Sequence, residues 1–124
     1  MKVYHCKLCG KMVHLMRDGA GQLVCCGQPM EELVANTTDA AKEKHVPVIA
    51  KEGDHVTVTV SSAPHPMDPE HFIEWIVLET KKGCQQVDLK PGMKPAADFV
   101  LAEGDEVVAA YGYCNLHGLW KGVL

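Results

Sequence analysis

No part of this sequence reads as a secretory leader, since Met1-Lys2-Val3-Tyr4-His5 is not a basic segment followed by an apolar one. Nor does any apolar run approach the roughly 20 residues that cross a bilayer as a helix. The expectation is a soluble, cytoplasmic chain, in which a disulfide framework is a poor account of the cysteines. Internal repeats and low-complexity tracts are absent. So is the positive excess of a nucleic-acid surface, because the 124 residues carry a formal net charge of −4. Helical signal is scarce as well: Asp39 to Lys44 offers a turn or two before Pro47 discourages continuation.

What the chain does have is thiol chemistry in a small space. Four of its 6 cysteines stand as Cys6-Lys7-Leu8-Cys9 and Cys25-Cys26. Cys-x-x-Cys followed by Gly10 is a knuckle in which two thiolates grip one ion and the glycine lets backbone N–H groups approach the sulfurs. In an intracellular chain such clusters bind metal or catalyse. The adjacent pair is less ordinary, because neighbouring cysteines reach one ion only through a strained turn and a distorted tetrahedron. A structural zinc site, usually two spaced pairs, has no need of that geometry, so iron is favoured over zinc, although four thiolates accept either.

The cysteine-rich segment differs sharply in composition from the remainder of the chain, and two units are expected, residues 1–36 and 37–124. The first is below the roughly 40 residues at which an apolar core stands alone, so metal binding would supply much of its folding free energy. In the second, Val56-Thr57-Val58-Thr59-Val60 alternates strictly, as a half-buried strand does. Phe72 to Leu78, Asp98 to Leu101 and Glu106 to Cys114 also read as strands, the last with its even positions ending on Cys114. Turn signals at Glu52-Gly53-Asp54, Lys81-Lys82-Gly83, Pro91-Gly92 and Glu103-Gly104-Asp105 separate these segments. The fold class expected is all-β, with an antiparallel β-sandwich as the larger unit.

Four of the 7 histidines sit in or beside loop-like segments of that unit: His45, His65, His71 and His117. His65 lies between two prolines, a rigid extended segment with little packing use for an imidazole, and His71 opens the aromatic strand. Cys114-Asn115-Leu116-His117 places a thiolate and an imidazole three residues apart where a strand breaks. Spacing alone cannot bring His45 to Cys114.

Taken together, Glu43-Lys44-His45-Val46-Pro47-Val48, Pro64-His65-Pro66-Met67, His71-Phe72-Ile73-Glu74-Trp75 and Cys114-Asn115-Leu116-His117-Gly118 resemble the desulfoferrodoxins, two-iron superoxide reductases, over nearly the whole chain. The Cys6, Cys9, Cys25, Cys26 pattern matches that family's small desulforedoxin-like domain. The resemblance implies a first iron on those four thiolates and an immunoglobulin-like sandwich carrying a second. Around the second, His45, His65, His71 and His117 are implied to be equatorial and Cys114 axial, with the sixth position open. It further implies that Lys44 attracts superoxide and that Glu43 occupies the sixth position of the ferric resting site. A rubredoxin-like electron donor and a homodimer are implied too. Cys84, His5, His14 and His55 are surplus to both sites. The rival readings are an iron protein that shuttles or senses electrons without catalysis, and a zinc-organised binding module.

Overall fold

The structure is a computed structural model that describes residues 1–124, and it divides into two compact units, Met1–Val34 and Ala35–Leu124. In the first unit β1 (Val3–His5) pairs antiparallel with both β2 (Met12–His14) and β5 (Glu31–Leu33). Between them β3 (Val24–Cys25) and β4 (Gln28–Pro29) form a minimal ribbon. Strands this short bury almost nothing, and Val3 and Cys6 are the unit's buried apolar residues.

The second unit is a sandwich of two antiparallel sheets. One has the order β10-β7-β6, from Ala96–Val100, His55–Thr59 and Val48–Glu52. The other has the order β12-β11-β8-β9, from Gly118–Gly122, Val107–Cys114, Ile73–Thr80 and Gly83–Asp88. Its core follows from alternation: Val56 and Val58 of one sheet, with Val60 just past the strand, meet Ile76, Leu78 and Ala110 of the other, and Cys114 joins the same cluster. On β11, Ala110 and Cys114 face this core, but a register shift between Val107 and Ala109 turns the pattern over, so Val107 packs inward and Val108 is exposed. Asn36 is tied to this unit, its N–H donating to the Leu119 carbonyl while its side chain exchanges hydrogen bonds with the Lys121 backbone.

Helix is confined to one turn, α1 (Lys42–His45), whose continuation Pro47 blocks. Pairings place the start of β6 beside the end of β7 (Val48 opposite Thr59). The start of β8 and of β12 likewise lie beside the end of β11, with Ile73 and Gly118 both opposite Cys114. Both sheets thus offer loops near His45, His65, His71 and His117. His71 does not open a strand; it bridges Asp68 two residues before β8 begins. Cys84, directly after the turn signal Lys81-Lys82-Gly83, is the second residue of β9, opposite Glu79, exposed and without a disulfide.

Candidate metal centres

In the first unit the sulfurs of Cys6, Cys9, Cys25 and Cys26 all lie within 4.8 Å of one another. The Cys9 and Cys25 Sγ atoms are 3.6 Å apart and those of Cys25 and Cys26 are 4.0 Å apart. Four thiolates about 2.3 Å from one ion would form a tetrahedron with edges of about 3.8 Å, so the spacing fits a single metal. The adjacent pair is turned to one side by Cys26, a non-glycine residue at φ 52°. The knuckle closes through Gly10 N–H donating to the Cys6 carbonyl at 2.9 Å, with Gly10 at φ 83°. Backbone N–H from Cys9, the largest influence, pulls the Cys6 thiol down to about 7, whereas thiol neighbours led by Cys9 push Cys25 up to about 12. Crowded sulfurs that cannot all ionise alone are what a cation would relieve.

In the second unit the donor atoms of His45, His65, His71 and Cys114 also lie within 4.8 Å of one another. His117 belongs with them, its Nδ1 being 3.1 Å from His45 Nε2 and 3.9 Å from Cys114 Sγ. The four rings close a cycle in the order 45, 65, 71, 117. Centroid separations around it are 4.8, 4.7, 5.2 and 4.8 Å, and consecutive planes stand 76°, 83°, 77° and 90° apart.

Ring orientation is settled by carbonyls. A carbonyl only accepts, so His45 Nδ1 donates to Ala41 O at 2.7 Å and His65 Nδ1 to Pro66 O at 2.6 Å. Burial lowers the pKa of both rings, that of His65 to about 4, so both are neutral and their Nε2 atoms are bare lone pairs. Those lone pairs face each other at 3.3 Å, and His71 Nε2 is buried with no hydrogen-bond partner. An arrangement this repulsive needs a cation at its centre, and two nitrogens about 2.1 Å from one ion at right angles would sit about 3 Å apart. Five donors of this mixture suit iron better than a tetrahedral structural zinc. Burial pushes the Cys114 thiol up, while N–H groups of Leu116 and His117 pull it back.

Asn115 straps the parts together. Its Oδ1 accepts from Phe72 N–H at 3.0 Å and its Nδ2 donates to Glu70 O at 3.0 Å, bracketing His71. Loop residues Ser62 and Ala63 both donate to the Glu43 carbonyl, which anchors α1. Lys44 and Glu43 are exposed on that turn, and the Glu43 carboxylate is not among the converging donors. His5, His14, His55 and Cys84 are not drawn into either group, and His55 instead meets Asp98 at 3.3 Å. Sequence reasoning gave no role to Asn115, although it lies inside the Cys-to-His motif, and it could not see the Ala41 and Pro66 carbonyls.

Comparison with known proteins matches residues 37–123 to the desulfoferrodoxin family and residues 1–33 to the desulfoferrodoxin N-terminal domain. A desulfoferrodoxin of Syntrophotalea carbinolica is 52% identical over 121 residues, covering 98% of this chain and 94% of that protein. A superoxide reductase of Thermococcus kodakarensis is 40% identical over 96 residues, 64% of this chain and 84% of its own. Among solved structures, the superoxide reductase from Treponema pallidum superposes with a TM-score of 0.82 at 38% identity, covering 97% of this chain and 98% of that one.

Proposed function

The chain belongs to the desulfoferrodoxin family, and on that premise we propose how its residues divide the work of a superoxide reductase that holds two iron ions. Cys6, Cys9, Cys25 and Cys26 would hold the first, and His45, His65, His71, His117 and Cys114 the second. The observation that carries this is the closed cycle of four imidazoles beside a buried cysteine, with lone pairs facing one another and His71 Nε2 unpartnered. When bound, ferrous iron at the second centre supplies one electron to superoxide, which with two protons leaves as hydrogen peroxide, the iron becoming ferric.

The chain's own residues do the rest. The Ala41 and Pro66 carbonyls keep His45 and His65 in the tautomer that offers Nε2, and neutral imidazoles leave the charge of a bound cation largely uncancelled. The five side chains would hold the ion while leaving it accessible to an incoming anion. Lys44, exposed beside His45, attracts that anion against the net charge of −4 and orders the water that delivers protons. Glu43, two residues before His45, would offer its carboxylate to the ferric ion between turnovers. An acidic chain suits encounter with a small electron carrier through a complementary patch, and a rubredoxin-like donor fits that part. We read the protein further as a cytoplasmic homodimer; no helix in it is long and apolar enough to cross a membrane.

The test is an anaerobic pulse of superoxide on the pre-reduced protein. One peroxide per superoxide without evolved dioxygen is expected. Dioxygen evolution would mean dismutation, and an unreactive ferrous site would leave an electron-transfer protein.

A further inference from the structure

Trp120, on β12 opposite Gly112 of β11, is 1% exposed and heads the largest fully buried side chains. Its indole lies against the His45 ring, with centroids 4.9 Å and planes 27° apart. Its Nε1–H donates to the His117 carbonyl at 3.0 Å. His45 and His117 are neighbours in the histidine cycle, their facing nitrogens 3.1 Å apart although the residues are 72 positions apart in the chain. One side chain therefore touches two donors that arrive from opposite ends of the unit's sequence.

The surroundings form a seat for the first of them. Gly122 stands two residues along β12 from Trp120 and so shares its face. A Cβ there would overlap the Pro47 carbonyl, and a Cβ on Gly112 would meet Val60 Cγ2 at 3.2 Å and Pro47 Cγ at 3.7 Å. The segment His45-Val46-Pro47 thus rests on Gly112, Trp120 and Gly122, with no room for larger neighbours. At the other contact the chain reverses through Gly118 at φ 79°, so the His117 carbonyl can meet a side chain only three residues further on.

We propose that Trp120 is a positioning residue of the second centre, setting the relation between the His45 and His117 rings. The Nδ1 bond to Ala41 leaves the His45 ring free to tilt about that contact, and stacking on the indole removes the tilt. The hydrogen bond to His117 O fixes the backbone from which the second ring hangs. A residue that merely fills the core would need bulk here but neither a flat face nor an N–H, and that difference is measurable. The proposal rests on the assignment of iron to this centre.

Three holoproteins are compared: the parent, Trp120→Phe, which keeps a ring but loses the N–H, and Trp120→Leu, which loses both. The readouts are the visible absorption of the ferric second centre, release of its iron to an excess of a ferrous chelator after reduction, and the thermal midpoint. Groups that orient metal ligands are worth roughly tenfold or more in metal retention. Trp120→Leu is therefore expected to release second-centre iron about tenfold faster, and Trp120→Phe to release it at an intermediate rate with a shifted absorption band. The four-cysteine centre should behave alike in all three. A Trp120→Phe spectrum identical to the parent's, with parental release from both variants and only the thermal midpoint lowered, would reduce Trp120 to packing. If Trp120→Leu does not fold, the Trp120→Phe band and release rate decide alone. A parent without iron at the second centre would sink the functional reading and this proposal together, whereas parent-like variants of an iron-loaded parent sink this one only.

Discussion

The two units of this chain build metal sites from opposite resources. The first has Val3 and Cys6 as its buried apolar residues and strands of at most three residues, so the thiolates that hold an ion are also what hold the fold. The second has Val56, Val58, Val60, Ile73, Ile76 and Leu78 fully buried between two sheets; His45 ends α1, Cys114 ends β11 within that core, and His65, His71 and His117 sit in the loops between elements. Chemistry follows the same division. Four like donors gather in the first, while four imidazoles and one thiol gather in the second. A frame with its own apolar core can hold the second centre's mixed donors in place without relying on an ion for its folding.

The largest effect that would break this comparison comes from the first unit. Cys25→Ser removes a donor from a unit with no other core, so the first centre should lose its iron and residues 1–34 should become protease-sensitive, while second-centre iron is retained. Iron analysis with limited proteolysis checks this. Full iron content with unchanged cleavage would show that the unit stands without its metal. The converse change is Ile76→Ala, at a position with no exposure, which should destabilise the sandwich by about 2–5 kcal/mol and leave the visible spectrum of the first centre intact up to the unfolding transition.

The same contrast governs how much of the molecule is legible in its sequence. Val56-Thr57-Val58-Thr59 is a central strand with partners on both sides, and its alternation is unmistakable. The strands without a clear signal, β6, β9 and β12, are all sheet edges, where one face or one partner is missing and the pattern thins; in β6 Ile49 is the residue that packs on the core. The strand expected over Phe72 to Leu78 starts one residue later, and a register shift there puts Tyr113 opposite Trp75 but Cys114 opposite Ile73, skipping Glu74. At the sites, the Cys-x-x-Cys and Cys-x-x-His spacings mark ligand types locally, but no periodicity joins His45 to His117. Only the family resemblance supplies that step. Trp120 and the Ala41 and Pro66 carbonyls stay hidden because stacking partners and backbone acceptors carry no sequence signature.

A smaller effect sharpens the claim that the second centre is the reactive one. Lys44 is exposed beside His45, and attraction between it and an anion is screened over about 10 Å at 0.1 M salt. Lys44→Ile should slow the bimolecular reaction with superoxide by about tenfold at low ionic strength, and flatten its decline as salt is added. Peroxide should remain the product. An unchanged rate and salt slope would hand the role to another cation such as Lys42 or Lys121.

The smallest effect on rate, and the finest discrimination, belongs to Glu43. Its carbonyl is held by Ser62 and Ala63, which fixes the backbone of the turn, while the residue itself is exposed. If that carboxylate closes the open position only after electron transfer, Glu43→Ala should leave the reaction with superoxide nearly intact. The ferric protein, by contrast, should change its absorption, and azide should bind it more tightly, because in the parent azide has to displace a tethered anion of high effective concentration. Lys44→Ile should not copy this pattern, and the closed four-cysteine centre should ignore azide in every variant. The deciding measurement is a ferric azide titration of parent and Glu43→Ala at one pH. Equal affinities with identical resting spectra would mean that the carboxylate never reaches the centre, and that the open face is guarded by solvent alone.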